Sequence, residues 1–85
     1  MSTAKQIKII MGMEFETGKE PDFGSIRRTS SSYNGKNEYL LKSTDVDKLD
    51  LIVEHKGASD GSTALCSDTG ELYLLHLGEW RKWGD

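Results

Sequence analysis

Between residues 61 and 83 the chain alternates short runs rich in Leu, Tyr and Trp with glycine-bearing turns, and no other stretch is as dense in large apolar side chains. Residues 63–66 alternate small polar and apolar positions, and Ser67, Asp68, Thr69 and Gly70 follow as a turn. Asp and Ser suit its early positions because their side chains bond nearby amides, and Gly70 suits the positive φ that closes a G1 bulge. The pattern then predicts a return strand over 71–76, with Leu72, Leu74 and His76 on one face and Tyr73, Leu75 and Leu77 on the other. A strand apolar on both faces belongs in the middle of a sheet. A helix over 71–77 is the competing pattern, but Gly70 and Gly78 leave room for only about two turns, short of the length at which helices stand. Gly78 permits a second reversal into a strand over 79–83. Trp80 and Trp83 lie three apart, so in that strand they project to opposite faces.

Upstream the signals are weaker. Residues 1–4 read as a loose start. Over 6–15 Ile7, Ile9, Met11, Met13 and Phe15 alternate with Lys8, Ile10, Gly12 and Glu14, which predicts one strand with Gly12 at a bulge or close backbone approach. Residues 17–25, with Pro21 and two glycines, form a surface loop anchored by Phe23. Asn34 and Gly35 both accept the positive φ of a type I′ turn, which predicts a hairpin of 26–33 with 36–41. Pairing Tyr33 with Lys36 sets Glu38 opposite Ser31 and Tyr39 opposite Ser30. The first of these strands is polar on both faces and belongs at a sheet edge. Residues 42–50 carry one short helical turn capped by Ser43 or Thr44, 51–53 form a brief strand or buried connector, and 54–61 a loop. Together these elements predict a mostly β single domain over 1–85. It is a small antiparallel sheet or barrel-like sandwich built from hairpins, about five or six strands with at most one short helical turn, and its hairpin core lies at 61–83.

Composition adds a constraint on partners. With 85 residues, 35% hydrophobic and 29% charged, the chain is globular, and a domain this small buries only about two thirds of its unfolded surface. A thin core favours self-association or a partner. The net charge of −3 disfavours a nucleic-acid binder, which concentrates Lys and Arg against phosphates. Cys66 is the single cysteine, so no intramolecular disulfide forms, and a reducing cytoplasm is expected. With His55 and His76 it supplies too few ligands for a closed zinc site. No cofactor or metal is expected, no run of signal-peptide length opens the chain, and nothing reads as a membrane span.

Short motif matches do not support chemistry. Asp68-Thr69-Gly70 matches the aspartic-protease triplet, in which two aspartates share a proton. Glu71 stands where that family needs a small residue, Ser67 breaks the apolar lead-in, and no glycine-rich flap is present, so the triplet reads as a turn. Asp45, Asp47 and Asp50 fail as a calcium loop, with Leu49, Asp50 and Lys56 at positions that require a ligand, Gly and Glu. Residues 57–63 lack the Gly-Lys-Ser/Thr step of a phosphate loop.

The strings GSTALCSDTGELYLL and GEWRKW, over residues 61–83, resemble the C-terminal signature of small phage and prophage proteins, in which a Gly-Ser-x-apolar stretch, an Asp-Thr-Gly turn, an aromatic strand and a Trp-containing strand recur. Residues 42–50 sit where such proteins carry a comparable linker. The chain departs from the pattern in its shorter second turn at Leu77-Gly78 and in Cys66-Ser67, where a more apolar pair is common. The resemblance implies a non-enzymatic head, tail or fibre accessory, made in the bacterial host cytoplasm and then carried in the virion. Its partners are further copies or other virion proteins, with no nucleic acid and no membrane. Tyr73, Trp80 and Trp83 are the interface candidates. The alternative is a ligand-binding or carbohydrate-binding β module in which the same three rings form a stacking platform.

Overall fold

The computed structural model describes residues 6–84, so the loose start expected at 1–4 lies outside the described residues. Strands β1 (Ile7–Ile10) and β2 (Met13–Glu16) form a two-stranded ribbon. Strands β3 (Arg27–Ser30), β4 (Glu38–Leu41), β5 (Thr63–Cys66), β6 (Leu72–His76) and β7 (Glu79–Lys82) form a five-stranded sheet in chain order. A 3-10 segment (Ser43–Lys48) and helix α1 (Leu49–Glu54) run between β4 and β5. The fold is mostly β, and the sheet is open, with β3 and β7 at its edges. Strands β4 and β5 are parallel, Tyr39 beside Ala64 and Leu41 beside Cys66, and the helical stretch is the crossover that such a pair requires. Local pattern did not disclose this pairing, because the partners are far apart in sequence.

The single strand expected over 6–15 is instead a hairpin. Met11 and Gly12 both take positive φ, 50° and 81°, the two-residue geometry of a type I′ turn. The reversal flips side-chain parity: Ile9 pairs with Glu14 and Ile10 with Met13. Met13 and Phe15 therefore enter the core, while Ile7 and Ile9 stay exposed. Alternation runs unbroken through a two-residue turn, so it could not reveal the change of face.

The hairpin expected at Asn34-Gly35 is wider than a two-residue turn. Arg27 pairs with Leu40, Arg28 with Tyr39 and Ser30 with Glu38, with a bulge between Arg28 and Ser30, so the register slips from the expected Ser30 to Tyr39 pairing. Gly35 N–H donates to Ser32 O at 3.0 Å, and Gly35 O accepts from Ser59 N–H at 2.8 Å. That second bond draws the tip toward the loop before β5. The stretch 51–53 also departs from expectation, for it lies inside α1. Leu49 and Ile52 are both fully buried there, a three-residue spacing that a helix satisfies.

One core joins these pieces. Met13 and Phe15 from the ribbon, Phe23 and Ile26 from the loop, Leu49 and Ile52 from α1, and Tyr39, Leu41, Ala64 and Cys66 from the sheet form a single buried cluster. Phe23 anchors its loop against Phe15, ring centroids 5.8 Å apart. The loop is fixed further by Asp45, which accepts from Ser25 N–H at 2.9 Å and from the Ser25 hydroxyl at 2.6 Å. The same hydroxyl accepts from Lys42 N–H at 2.8 Å, and Lys48 Nζ lies 3.1 Å from Asp45. The Ser25 hydroxyl and amide, followed by the Lys48 ammonium, hold the Asp45 carboxyl down at about 2 from an ordinary 3.8.

A carboxyl whose folded pKa is depressed adds stability above its unfolded pKa, and that stability is lost as pH falls through the folded value. Acid unfolding is therefore expected to draw on Asp45 between 3.8 and about 2. Asp45→Asn should lower stability at neutral pH and flatten the decline in that window, as read by circular dichroism in a pH titration. An unchanged slope would mean that the Ser25 contacts carry no stability.

The β6 to β7 hairpin turns on Leu77 and Gly78, at φ 51° and 77°. The carboxylate of Asp60 accepts from both amides, at 3.0 Å each. Leu77 thus takes a conformation that costs a non-glycine residue about 1–2 kcal/mol, while its side chain is 74% exposed. Asn tolerates that conformation better. Leu77→Asn is expected to stabilise the domain by about 0.5–1 kcal/mol, measured by urea unfolding; a destabilised variant would show that the leucine packs against something.

Candidate protein-contact face

Strand register decides which side chains share the face opposite the core. Leu40 of β4 stands beside Leu65 of β5, and Glu38 beside Thr63. Leu65 stands beside Leu72 of β6, and Thr63 beside Leu74. Leu74 stands beside Arg81 of β7, and Trp83 N–H donates to Leu72 O at 2.7 Å, which brings the last tryptophan alongside Leu72. At the opposite edge Arg27 pairs with Leu40. Two transverse rows result. One runs Arg27, Leu40, Leu65, Leu72, Trp83; the other runs Glu38, Thr63, Leu74, Arg81.

Successive residues of a strand point to opposite faces, so Tyr39, Leu41, Ala64, Cys66, Tyr73 and Leu75 point away from these rows. The ribbon and α1 pack on that other side, within the buried cluster. Among the described residues no element covers the two rows. Leu65 is 41% exposed and Trp83 62% exposed, although Leu65 belongs to the middle strand of the sheet. The face is contoured into two shallow hollows. One of about 250 Å³ is lined by Leu40, Leu65 and Leu72 with Thr29, Glu38 and Thr63. The other, of about 370 Å³, is lined by Leu74 and Trp83 with His76 and Arg81. The face is thus an apolar strip with Arg27 at one edge and Arg81 at the other.

The three interface candidates are not brought together. Tyr73 and Trp80 point to the core side, where both pack against the buried cluster. The Trp80 ring meets Tyr39 edge-on at 6.1 Å, and its indole Nε1–H donates to Leu49 O at 3.0 Å. Trp83 stands on the open face. The split follows the strand parity of Trp80 and Trp83, and it leaves the three rings without a common surface on which a sugar could stack.

The groups singled out for chemistry have structural partners. Asp68 accepts from Ser43 N–H at 2.9 Å and from the Ser43 hydroxyl at 2.7 Å, a tie to the start of the 3-10 segment in addition to its own backbone amide. The Ser43 hydroxyl and then its amide pull the Asp68 carboxyl below its ordinary value. Cys66 is buried, and that burial pushes its thiol up, away from the thiolate form that reacts or binds metal. The His55 ring packs edge-on against Phe15 at 5.0 Å, whereas His76 lies on the open face. Among the described residues no three His, Cys, Asp or Glu side chains gather as metal ligands, and no helix is long and apolar enough to cross a membrane.

No protein family, curated protein or solved structure matches the chain. The face itself is therefore the basis for a functional reading. Its decisive residues Leu40, Leu65 and Arg27 escaped the reading of the sequence, yet a signal for two of them was there. Leu40-Leu41 and Ala64-Leu65 are adjacent apolar pairs, and in a strand such a pair sends one side chain to each face.

Proposed function

We propose that this chain is a non-enzymatic protein-contact component of a phage or prophage particle, acting through the open face of its sheet. The observation that carries the contact role is the uncovered row of Leu40, Leu65, Leu72 and Trp83, an apolar strip on the outer side of a sheet whose other side is already packed. The setting rests on the likeness of residues 61–83 to small phage and prophage proteins. A head, tail or fibre position is compatible with a thin fold that leaves half of its sheet for a neighbour. The partners are further copies or other virion proteins; the net charge of −3 argues against nucleic acid as the main partner. Synthesis in the host cytoplasm followed by residence in the virion fits the same reading.

The test is composition of purified particles. Particles raised from a host carrying the gene should contain the wild-type chain in fixed stoichiometry by quantitative mass spectrometry, and Leu65→Lys should be missing from them while still folding. A wild-type chain absent from particles would overturn the virion setting.

A further inference from the structure

Resting on the reading of the open face as a protein-contact surface, we propose that its occupant is the same face of a second copy, stacked about a two-fold axis that runs along the strands. Strand β5 is the middle of five in the order β3, β4, β5, β6, β7. A two-fold along β5 lays β3 over β7 and β4 over β6 while keeping each row over itself. Leu65 then meets Leu65 of the second copy, and Leu40 meets Leu72 of the second copy. At both ends Arg27 lies over the end of the last strand of the other chain, where the exposed Trp83 indole, beside Leu74 and Arg81, comes within reach of a cation and aromatic pairing. In the second row Glu38 lies over Leu74 of the second copy, one strand spacing from Arg81, within reach of its guanidinium across stacked sheets.

The charges of the free chain suit this arrangement. Among the described residues neither Arg27 nor Glu38 has an ion-pair partner, and Arg81 has only an exposed contact with Glu79 two residues away, at 2.8 Å. The other two-fold that stacks the faces, running across the strands, matches apolar residues equally well when centred on the first row but is worse in charge. Centred on the first row it opposes Arg27 to Arg27; displaced to lie between the rows it opposes Leu40 to Glu38 and Leu65 to Thr63. Matching of cation to acid or indole thus selects one symmetry, and a two-fold contact closes at a dimer.

Sedimentation velocity on the full chain over a wide concentration range tests this. The wild type should run as a reversible monomer and dimer. Leu65→Lys, at a position already exposed in the single chain, should be monomeric with an unchanged circular dichroism spectrum. Glu38→Arg should weaken the dimer by about tenfold, and Glu38→Arg combined with Arg81→Glu should recover most of the loss. A wild type that stays monomeric at every concentration overturns the second copy as occupant, while the contact role itself is judged separately by the recovery of Leu65→Lys in particles. A dimer indifferent to Leu65→Lys, growth beyond a dimer, or a paired reversal that restores nothing would each overturn the proposed stacking.

Discussion

An Ile52→Ala variant is expected to lose about 2–5 kcal/mol of unfolding free energy. Ile52 is fully buried on α1, within the cluster that joins Met13 and Phe15 of the ribbon to Tyr39, Leu41, Ala64 and Cys66 of the sheet. Removing its three outer carbons takes away apolar burial and leaves a void that these neighbours cannot close, since the ribbon, the helix and the sheet would all have to move together. Typical domains hold about 0.05–0.15 kcal/mol per residue. A chain of 85 residues therefore stands to lose a large part of its stability at one site. Urea unfolding should show a much lower midpoint with little change in slope. A loss below about 1 kcal/mol would mean that α1 is not integral to the core.

Gly57→Ala has the second largest expected effect, about 1–3 kcal/mol destabilising, through overpacking rather than through backbone strain. Lys56, just after α1, takes the positive φ of 56° that ends the helix. Gly57 serves close approach: a Cβ there would run into the Met13 sulfur, with Met13 Cγ at 2.8 Å and Ile52 Cγ2 at 3.2 Å. Met13 is buried, so its side chain has little space into which to swing. The carbonyl of Gly57 also accepts from Asn37 Nδ2 at 3.0 Å and lies 3.4 Å from the Tyr39 hydroxyl, so a backbone shift that relieved the clash would disturb a buried polar network. Thermal unfolding should show a clear drop for Gly57→Ala, and Met13→Ala in the same chain should recover part of the overpacking cost while adding its own cavity. A Gly57→Ala variant as stable as the wild type would show that ribbon and helix do not pack this closely.

Sequence pattern was most informative where structure is local. The turn at residues 67–70, the two-faced strand β6 and the opposite projection of Trp80 and Trp83 all follow from period-two alternation and glycine placement. Three features depended on contacts that no short window contains. A type I′ turn at Met11-Gly12 reversed the face of Ile7 and Ile9 without breaking the alternation, and its first residue is not one that such turns favour. Leu51-Ile52-Val53, whose branched residues suit a strand, is helical because Leu49 and Ile52 must reach the same core. The Asn34-Gly35 tip widened because Gly35 O bonds Ser59, a residue outside the hairpin. The contact face was half legible: adjacent apolar pairs announced strands apolar on both sides, but only the parallel pairing of β4 with β5 lines up Leu40 and Leu65.

A face that is covered when the protein is at work can be watched directly through Trp83. Trp80→Phe leaves Trp83 as the only indole, and truncating a residue of this kind at a contact commonly removes about 2 kcal/mol or more of affinity. Acrylamide quenching of that single fluorophore should be compared in the dilute free chain and in the associated state, whether dimer or particle. With the open face as the contact surface, Trp83 is readily quenched when free and becomes shielded and blue-shifted on association. Equal quenching in both states, in a chain shown to be associated, would place the contact elsewhere and contradict the role assigned to this face.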